Sequence, residues 1–309
     1  MKIGIKDISY YIPQKKISNL NFNKKFNLKN RFIENKIGFL KLSRISKNET
    51  TVDLALKSSR KLFKKYKNLK NKIECLVLVS QNPDLNIPHN SSIIHKELGL
   101  SDKCIVFDVS LGCSGFVHGV AIIKSFMEAN DLKNGLLITA DPYSKIIDNK
   151  DKETAMIFGD ASTSTFLSKD KPKFFIKNFD YGTKSEYWEA LRVNKKKKLE
   201  MNGRMIFDFV SQNIPKSINK IIKKENLLLK DIDLFILHQG SKFVIDTLAK
   251  SLDIDNKKIV FSSKNYGNTV SSSIPIILST CKIKKSKKII CSGFGVGLSW
   301  STMLLESLL

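Results

Sequence analysis

The stretch Asp108-Val-Ser-Leu-Gly-Cys-Ser-Gly-Phe-Val-His-Gly-Val120 joins the end of an apolar run to the beginning of an amphipathic one. The run that ends here, residues 104–109, is typical of a buried strand, and residues 116–129 repeat apolar side chains at helical spacing. A glycine-flanked turn between a buried strand and a helix is a basic connection of α/β structures. The segment therefore predicts an α/β fold, with Cys113 at a strand-to-helix junction.

The same alternation of short apolar runs and longer amphipathic patterns extends along the chain. The runs predicted as strands are 73–80, 104–109, 135–140, 232–238, 287–292 and the short run 258–262. The patterns predicted as helices are 52–67, 116–129, 206–224 and a segment after Asn268. Strands that alternate with helices predict layers of sheet and helix.

The two halves of the chain repeat a similar order of elements, although no repeat is visible residue by residue. A strand, a loop, a second strand and a helix occur around 73–129, and a comparable series occurs around 232–280. The pattern breaks at Ser168-Lys-Asp-Lys-Pro172. We therefore predict two pseudo-duplicated α/β halves, residues 1–170 and 171–309.

The charge balance of the chain is strongly basic. Among 309 residues there are 53 Lys plus Arg and 29 Asp plus Glu, which gives a net charge of 53 − 29 = +24. Such a charge attracts nucleic acid, anionic lipid or an acidic protein. Few of the basic residues are Arg, whose planar fork suits nucleic-acid recognition, so nucleic acid is disfavoured. A Lys-favouring genome composition and a preference for an acidic partner both remain open.

The cysteines and the first residues of the sequence indicate the cellular compartment in which we expect the protein. The five cysteines lie at 75, 104, 113, 281 and 291. Their odd number and wide spacing are unlike a disulfide framework, and the four other than Cys113 lie in apolar stretches as small buried side chains do. The N-terminus lacks an apolar signal core, and no stretch approaches the ~18 apolar residues of a membrane span. We expect a cytoplasmic protein in a reducing compartment, without a membrane partner.

Cys113 is the first candidate for chemistry. A cysteine at this junction faces free backbone N–H groups and the positive end of a helix dipole, both of which stabilise the nucleophilic thiolate. The glycines beside it, Gly112 and Gly115, allow a substrate to approach the backbone closely. The alternative is a fifth buried cysteine in a turn. The segment by itself leaves both interpretations open.

Two later segments supply polar groups that suit Cys113. His238 follows the predicted strand 232–238, where the active sites of α/β proteins gather. Asn268 follows a glycine turn, just before a Ser/Thr-rich helix start. An imidazole and an amide can donate two hydrogen bonds to one carbonyl oxygen and so form an oxyanion site. Each residue alone is more simply structural, but the three together favour catalysis.

At this point the sequence resembles the β-ketoacyl-acyl carrier protein synthase III family, which has the thiolase fold. The resemblance covers nearly the whole chain and rests on an ordered set of segments. These segments are 3–13, 36–39, 82–88, 108–119, 158–161, 201–204, 238–239, 267–269 and 293–300. The resemblance implies a thiolase-like α/β fold in which two pseudo-duplicated halves form an α-β-α-β-α arrangement.

The resemblance also implies a two-step reaction. Cys113 would take an acyl group from acyl-coenzyme A, which is a substrate rather than a bound cofactor. His238 and Asn268 would bind the thioester of malonyl-acyl carrier protein and stabilise the enolate formed as carbon dioxide leaves. Neither a permanent cofactor nor a metal is expected. The partners implied are acyl-coenzyme A, an acidic acyl carrier protein and a second copy of the chain in a homodimer.

Further roles follow from matching single residues to the family pattern. The backbone N–H groups of Cys113 and Val296 would form an oxyanion site, where the valine side chain is expected to narrow the pocket. The residues that would bind coenzyme A are Phe32 at the adenine, Lys36 and Lys152 at the nucleotide, and Gly203 and Phe207 along the pantetheine tunnel. Ile87 of a partner subunit would cap the acyl pocket.

Two positions depart from the family pattern. Ser241 stands where the family has an Asn that supports decarboxylation, and Phe243 replaces an Arg that meets the carrier protein. Lys242 could supply the charge but not the bidentate contacts of Arg. An alternative is therefore a thiolase-fold acyltransferase that moves the acyl group to an oxygen or nitrogen without decarboxylation. A third hypothesis is a non-catalytic protein that uses its positive charge to bind a partner. The sequence does not determine the acyl chain length.

Overall fold

The protein is described by a computed structural model that covers residues 2–284 and 286–308. Within those ranges, no helix is both long and apolar enough to span a membrane. The secondary structure is a mixture of strands and helices. The strands are β1 Gly4–Tyr11, β2 Lys16–Ser18, β3 Lys41–Ser43, β4 Cys75–Val79, β5 Ile105–Val109, β6 Asn134–Ala140, β7 Ser162–Ser168, β8 Phe174–Thr183, β9 Leu191–Val193, β10 Leu199–Met201, β11 Leu234–Leu237, β12 Lys288–Gly295 and β13 Ser299–Ser307.

The helices lie between these strands, with the longest ones covering the sheet. They are α1 Asn21–Phe26, α2 Asn30–Phe32, α3 Thr51–Lys65, α4 Asn90–Leu98, α5 Gly115–Ala129, α6 Lys152–Ala155, α7 Gly203–Lys224, α8 Lys242–Ser251 and α9 Ser273–Thr280. Four of the described helices, α3, α6, α7 and α8, begin with a side-chain cap. At α3, for example, Thr50 and Asp53 form a reciprocal capping box, which satisfies two backbone donors at the helix start.

Nine of the described strands join in the order β11-β12-β13-β8-β1-β7-β6-β4-β5. The link between β1 and β8 consists of only two residue pairs, Gly4 with Phe175 and Ile5 with Phe174. All other neighbours in the order share longer ladders. The sheet therefore has an N-terminal part, β5 to β1, and a C-terminal part, β8 to β11, joined by a narrow strip.

Helices α5 and α9 lie between the two parts of the sheet. Helix α5 contacts β4 and β6 on one side and β12 and β13 on the other, and α9 contacts β1 and β7 as well as β11 and β12. Helices α3 and α4 cover the outer face of the N-terminal part, and α7, with α8 beside it, covers the C-terminal part. This order is the predicted α-β-α-β-α arrangement, and the thiolase-like fold class is confirmed.

Most predicted elements are present within a few residues of their expected bounds. The amphipathic patterns 52–67 and 206–224 form α3 and α7, and the helix expected after Asn268 is α9. The prediction of a strand at 258–262 is wrong, because this segment contributes only an isolated bridge between Ile259 and Phe235. The predicted boundary near residue 170 lies in the turn between β7 and β8, and the division into two domains stays a prediction.

The central helix layer should be the most sensitive part of the core. Phe116 on α5 is fully buried in the apolar cluster that both parts of the sheet share. Phe116→Ala should therefore lower the free energy of unfolding by about 3–5 kcal/mol, measured by denaturant unfolding. Val193→Ala, at a half-exposed position on β9, is the control and should change it by less than about 0.5 kcal/mol. Equal effects of the two changes would contradict the layer assignment.

Candidate active site

One cavity of about 400 Å³ brings the three predicted catalytic side chains together. Cys113, His238 and Asn268 all line it, and all three are at least 96% buried, with exposed fractions of 4%, 2% and 3%. Their arrangement follows from topology, since Cys113 lies four residues after the end of β5 and His238 comes directly after β11. The N-terminal half therefore supplies the thiol, and the C-terminal half supplies the imidazole and the amide.

The turn that carries Cys113 is held against the end of β12. A Cβ added to Gly295 would lie 2.9 Å from Cys113 Sγ, and one added to Gly293 would lie 2.7 Å from the Cys113 carbonyl oxygen. Only glycine allows the two backbones to approach this closely. A hydrogen bond of 2.9 Å between the hydroxyls of Ser114 and Ser299 links the turn to the first residue of β13 as well.

The resting state of Cys113 is the protonated thiol. Burial, with the negative charge of Asp141 adding to it, raises the pKa of the Cys113 thiol from 9.0 to about 12. Backbone hydrogen bonds from Val296 and from Cys113 itself act in the opposite direction. The raised pKa contradicts the prediction of an acidified thiol, because desolvation outweighs the backbone donors. The same two N–H groups are those predicted for the oxyanion site.

His238 is a neutral imidazole held by one ring nitrogen. Its Nδ1 lies 2.8 Å from the hydroxyl of Ser273, the first residue of α9. Burial lowers the pKa of His238 from 6.5 to about 3, against a smaller opposing effect of a backbone hydrogen bond to Val270. The ring of Phe294 stands edge-on to the imidazole, with the ring centres 5.6 Å apart. The imidazole thus lines the cavity in its neutral form.

Asn268 is oriented by its own loop and by the N-terminal half. Its side-chain oxygen accepts a hydrogen bond from the Val270 N–H at 2.9 Å, so its amino group is the part offered to the cavity. Its backbone N–H donates to the Ile157 carbonyl at 2.9 Å, and its carbonyl accepts from the Gly159 N–H at 2.8 Å. Asn268 lies in the C-terminal half of the chain, but backbone hydrogen bonds to Ile157 and Gly159 of the N-terminal half help to hold it in position.

Asp141 is a buried residue near the site that the sequence reasoning did not single out. Its carboxylate accepts hydrogen bonds from the Ser271 hydroxyl and, at 2.8 Å, from the Gln81 backbone N–H. Burial raises the pKa of Asp141 from 3.8 to about 6, although these hydrogen bonds oppose the shift. It connects the ends of β4 and β6 to the loop that carries Asn268. Its position directly after the buried strand β6 was the one sequence signal.

The mouth of the cavity combines exposed aromatic rings with lysines. Phe32 and Phe243 are 40% and 38% exposed, and both line the cavity together with Lys36 and Lys152. Lys36 Nζ lies 4.0 Å from the centre of the Phe243 ring, and Lys152 Nζ lies 5.9 Å from the centre of the Phe32 ring. A cation next to an aromatic face suits a ligand with a flat ring and negative charge.

The remaining predicted site residues lie at different distances from the cavity. Gly203 lines it, whereas Phe207 stacks on Phe243 with ring centres 5.2 Å apart. The Val296 side chain points toward Gly112, within 2.7 Å of where a Cβ there would lie, and is not part of the cavity lining. The expected narrowing of the pocket by Val296 stays a prediction. Ile87 is 90% exposed and lies outside the lining.

The two departures from the family pattern have clear local contacts. Ser241 caps α8, with its hydroxyl accepting from the Val244 N–H at 3.3 Å, and it also lines the cavity. Lys242 pairs with Asp246 at 2.5 Å, one helical turn along α8. The Lys242 ammonium group is thus already paired with a carboxylate on its own helix. It is therefore poorly suited to replace the contact expected of an Arg at position 243.

The close approach at Gly295 can be tested with a matched pair of glycines. Gly295 and Gly99 both have positive φ, of 157° and 61°, but a Cβ at Gly99 would meet nothing within 4 Å. Gly295→Ala should reduce alkylation of Cys113 by iodoacetamide at least about tenfold, because the new methyl group displaces Sγ. Peptide mass spectrometry measures the rate. Gly99→Ala should leave it unchanged, and an equal loss in both variants would contradict the steric explanation.

The protonation state of Cys113 predicts a pH profile. Below the thiol pKa, the thiolate fraction rises with pH, so alkylation of Cys113 should accelerate about tenfold per pH unit between pH 7 and pH 9. The same peptide assay measures this, with Cys281, a half-buried thiol whose pKa is also raised, as an internal comparison. A plateau of the Cys113 rate at or below pH 8 would show an acidified thiol instead.

Two family descriptions match this chain. The family described as 3-Oxoacyl-[acyl-carrier-protein (ACP)] synthase III matches residues 107–185, and the C-terminal domain described for the same enzymes matches residues 222–307. Beta-ketoacyl-[acyl-carrier-protein] synthase III of Streptococcus agalactiae is 31% identical to the chain, and that of Streptococcus mutans is 29% identical. Each alignment covers 98% of both proteins.

Solved structures agree with these sequence relatives. A 3-oxoacyl-(acyl-carrier protein) synthase from Burkholderia xenovorans superposes with a TM-score of 0.93 at 25% identity, covering 100% of this chain and 95% of that one. A β-ketoacyl-[acyl carrier protein] synthase III from Thermus thermophilus superposes with a TM-score of 0.91 at 25% identity, covering 98% of each. OleA from Xanthomonas campestris, at 19% identity and a TM-score of 0.90, shares the fold.

Proposed function

The chain belongs to the 3-oxoacyl-[acyl-carrier-protein] synthase III family, and we propose that it is an acyl-coenzyme A-dependent condensing enzyme. It takes an acyl group onto Cys113 and then joins that group to malonyl-acyl carrier protein with loss of carbon dioxide. The observation that carries the proposal is the meeting of Cys113, His238 and Asn268 in one buried cavity with an exposed mouth. A pure binding protein would have no use for this arrangement.

The first half-reaction is acyl transfer to sulfur. The Cys113 sulfur attacks the thioester carbonyl, the bond to the coenzyme A sulfur breaks, and the thiol proton ends on the released coenzyme A. The N–H groups of Cys113 and Val296, which hydrogen-bond the resting sulfur, are suited to donate to the oxyanion of the intermediate. A buried, poorly solvated sulfur becomes a strong nucleophile once its proton leaves.

The second half-reaction uses the imidazole and the amide. The malonyl thioester carbonyl accepts hydrogen bonds from His238 Nε2 and the Asn268 amino group, and these bonds stabilise the enolate that forms as the carboxylate leaves as carbon dioxide. The enolate carbon attacks the acyl group on Cys113, and the cysteine sulfur leaves and regains a proton. A neutral His238 suits this role, because it donates one hydrogen bond without bringing a charge that would hold the substrate carboxylate.

The mouth and the overall charge support the predicted partners. Phe32, Lys36 and Lys152 line the cavity and would offer an aromatic ring and two cations to the nucleotide of acyl-coenzyme A. Gly203, which lines the cavity, and Phe207, which stacks on Phe243, would lie along the pantetheine arm. The net charge of +24 suits an acidic acyl carrier protein. The almost fully exposed Ile87 suits a homodimer in which the partner covers it. We place the enzyme in the cytoplasm.

A second candidate function is favoured by the residues at Ser241 and Phe243. Ser241 uses its hydroxyl to cap α8, and Phe243 presents an apolar ring at the mouth where an Arg would contact the carrier protein. An enzyme with weakened carrier contacts could transfer the acyl group from Cys113 to an oxygen or nitrogen nucleophile. In that reaction no carbon dioxide is released, so the two functions have different products.

Three substitutions separate the steps of the proposed reaction. Cys113→Ala should abolish the acyl adduct that acetyl-coenzyme A leaves on the protein, because no nucleophile remains. His238→Ala and Asn268→Ala should still form the adduct but should release carbon dioxide from malonyl-acyl carrier protein at least about a hundredfold more slowly. Intact-protein mass spectrometry detects the adduct, and labelled carbon dioxide measures the second step.

Two control variants test whether a loss of activity comes from general damage to the folded protein. Cys104→Ala removes another buried thiol, and His95→Ala removes an imidazole that bonds only the Ser101 carbonyl at 2.9 Å on the surface of α4. Both should behave like the wild type. Wild-type protein that forms no adduct with any acyl-coenzyme A would refute the proposal, and an adduct that passes to another acceptor without carbon dioxide release would favour the second candidate.

A further inference from the structure

Lys36 lies in a short segment that packs tightly against helix α8. The segment is one wide helical turn that begins at Ile33 and ends at Ile37, both of which are buried. Gly38 follows with a φ of 84°, and a Cβ added there would lie 2.5 Å from the Cβ of Lys242. Only glycine allows this approach. The backbone that carries Lys36 is therefore fixed against the first turn of α8.

The same turn of α8 carries Phe243, whose ring contacts side chains from two other elements. Phe207 of α7 stacks on it, with ring centres 5.2 Å apart and ring planes 25° apart. The Lys36 Nζ atom lies 4.0 Å from the centre of the Phe243 ring. This distance is well within the ~6 Å over which an aromatic face attracts a cation. Phe207 therefore supports the ring, and the ring stabilises one position of the Lys36 ammonium group.

The ammonium group of Lys36 keeps its charge for a ligand. In the described part of the chain, Lys36 forms no ion pair and its ammonium group contacts only the Phe243 ring, whereas Lys242 is paired with Asp246. A lysine side chain loses much rotamer freedom when it binds a ligand. A contact that already limits this freedom lowers the entropy cost of binding.

We propose that Phe243 is a positioning residue for substrate binding, whose ring holds the Lys36 ammonium group at the cavity mouth for the phosphate that ends a pantetheine arm. This inference rests on the proposed function, because acyl-coenzyme A and malonyl-acyl carrier protein both carry such a phosphate. Phe243 and Lys36 both line the cavity, so their contact lies where a substrate enters. The inference also assigns a role to the phenylalanine that departs from the family pattern.

The test measures the rate of adduct formation on Cys113 against donor concentration, with acetyl-coenzyme A and with acetyl-pantetheine, which lacks the phosphates. Phe243→Leu keeps an apolar side chain but removes the aromatic face. It should raise the half-saturating concentration of acetyl-coenzyme A about threefold to tenfold and leave the maximal rate unchanged, because only binding is affected. Neither quantity should change for acetyl-pantetheine. Phe243→Tyr retains the aromatic face and should restore the wild-type values.

A double-mutant cycle separates positioning from packing. Lys36→Met removes the cation, so Phe243→Leu should have no further effect on the half-saturating concentration in the Lys36→Met background. Trp188→Leu is the matched control. The Arg192 guanidinium lies 5.5 Å from the centre of the exposed Trp188 ring, and neither residue lines the cavity. Trp188→Leu should therefore behave like the wild type.

Two further measurements identify the substrate that supplies the phosphate. Calorimetry of free coenzyme A should show the same threefold to tenfold weakening in Phe243→Leu without any chemical step. Carbon dioxide release against the concentration of malonyl-acyl carrier protein gives the second value. A matching rise in the half-saturating concentration shows that Lys36 binds the phosphate of both substrates, and no rise confines the contact to coenzyme A.

The outcomes distinguish this inference from the proposed function. Unchanged coenzyme A binding by folded Phe243→Leu protein would overturn the inference, as would equal effects on acetyl-coenzyme A and acetyl-pantetheine. A full effect of Phe243→Leu in the Lys36→Met background would also overturn it. Wild-type protein that binds coenzyme A but forms no adduct with any donor would refute the proposed function, whereas calorimetry of the Phe243 variants would still decide the inference.

Discussion

The site depends on one close contact, in which the backbone of the Cys113 turn packs directly against the backbone at the end of β12. Gly293 and Gly295 leave no room for any side chain between them and the turn. This approach brings the Val296 N–H to the Cys113 sulfur. The thiol and its hydrogen-bond donor thus come from opposite halves of the chain, so the site exists only when the two parts of the sheet are stacked on α5 and α9.

Burial sets the electrostatics of the whole site. The same loss of water that raises the pKa of Cys113 lowers that of His238 and raises that of Asp141. At neutral pH the thiol and the imidazole are both uncharged, and burial raises the pKa of the nearby Asp141 to about 6. A site of neutral donors suits a reaction whose charge appears only in the transition state and is then stabilised by groups already in position.

Much of the fold and the three candidate catalytic residues could be predicted from the sequence, because local patterns of apolar residues and glycines indicate them. The periods of apolar residues identified α3, α5 and α7, and a cysteine in a glycine turn after a strand identified Cys113. The segment 258–262 was predicted as a strand but forms only an isolated bridge. A short apolar run can belong either to a strand or to a loop that packs against the core. The pKa of Cys113 was not predicted correctly, because local donors are visible in the sequence. The burial that outweighs them, and the added negative charge of Asp141, come from residues distant in the chain.

The hydrogen bond between Tyr143 and Gln81 is an example of a contact that the sequence alone could not predict. Tyr143 and Gln81 are 62 residues apart in the chain, and neither belongs to a pattern that indicates catalysis. They meet because β4 and β6 are parallel neighbours whose carboxyl ends lie side by side. Contacts of this kind depend on the order of the strands in the sheet, which local apolar patterns do not specify.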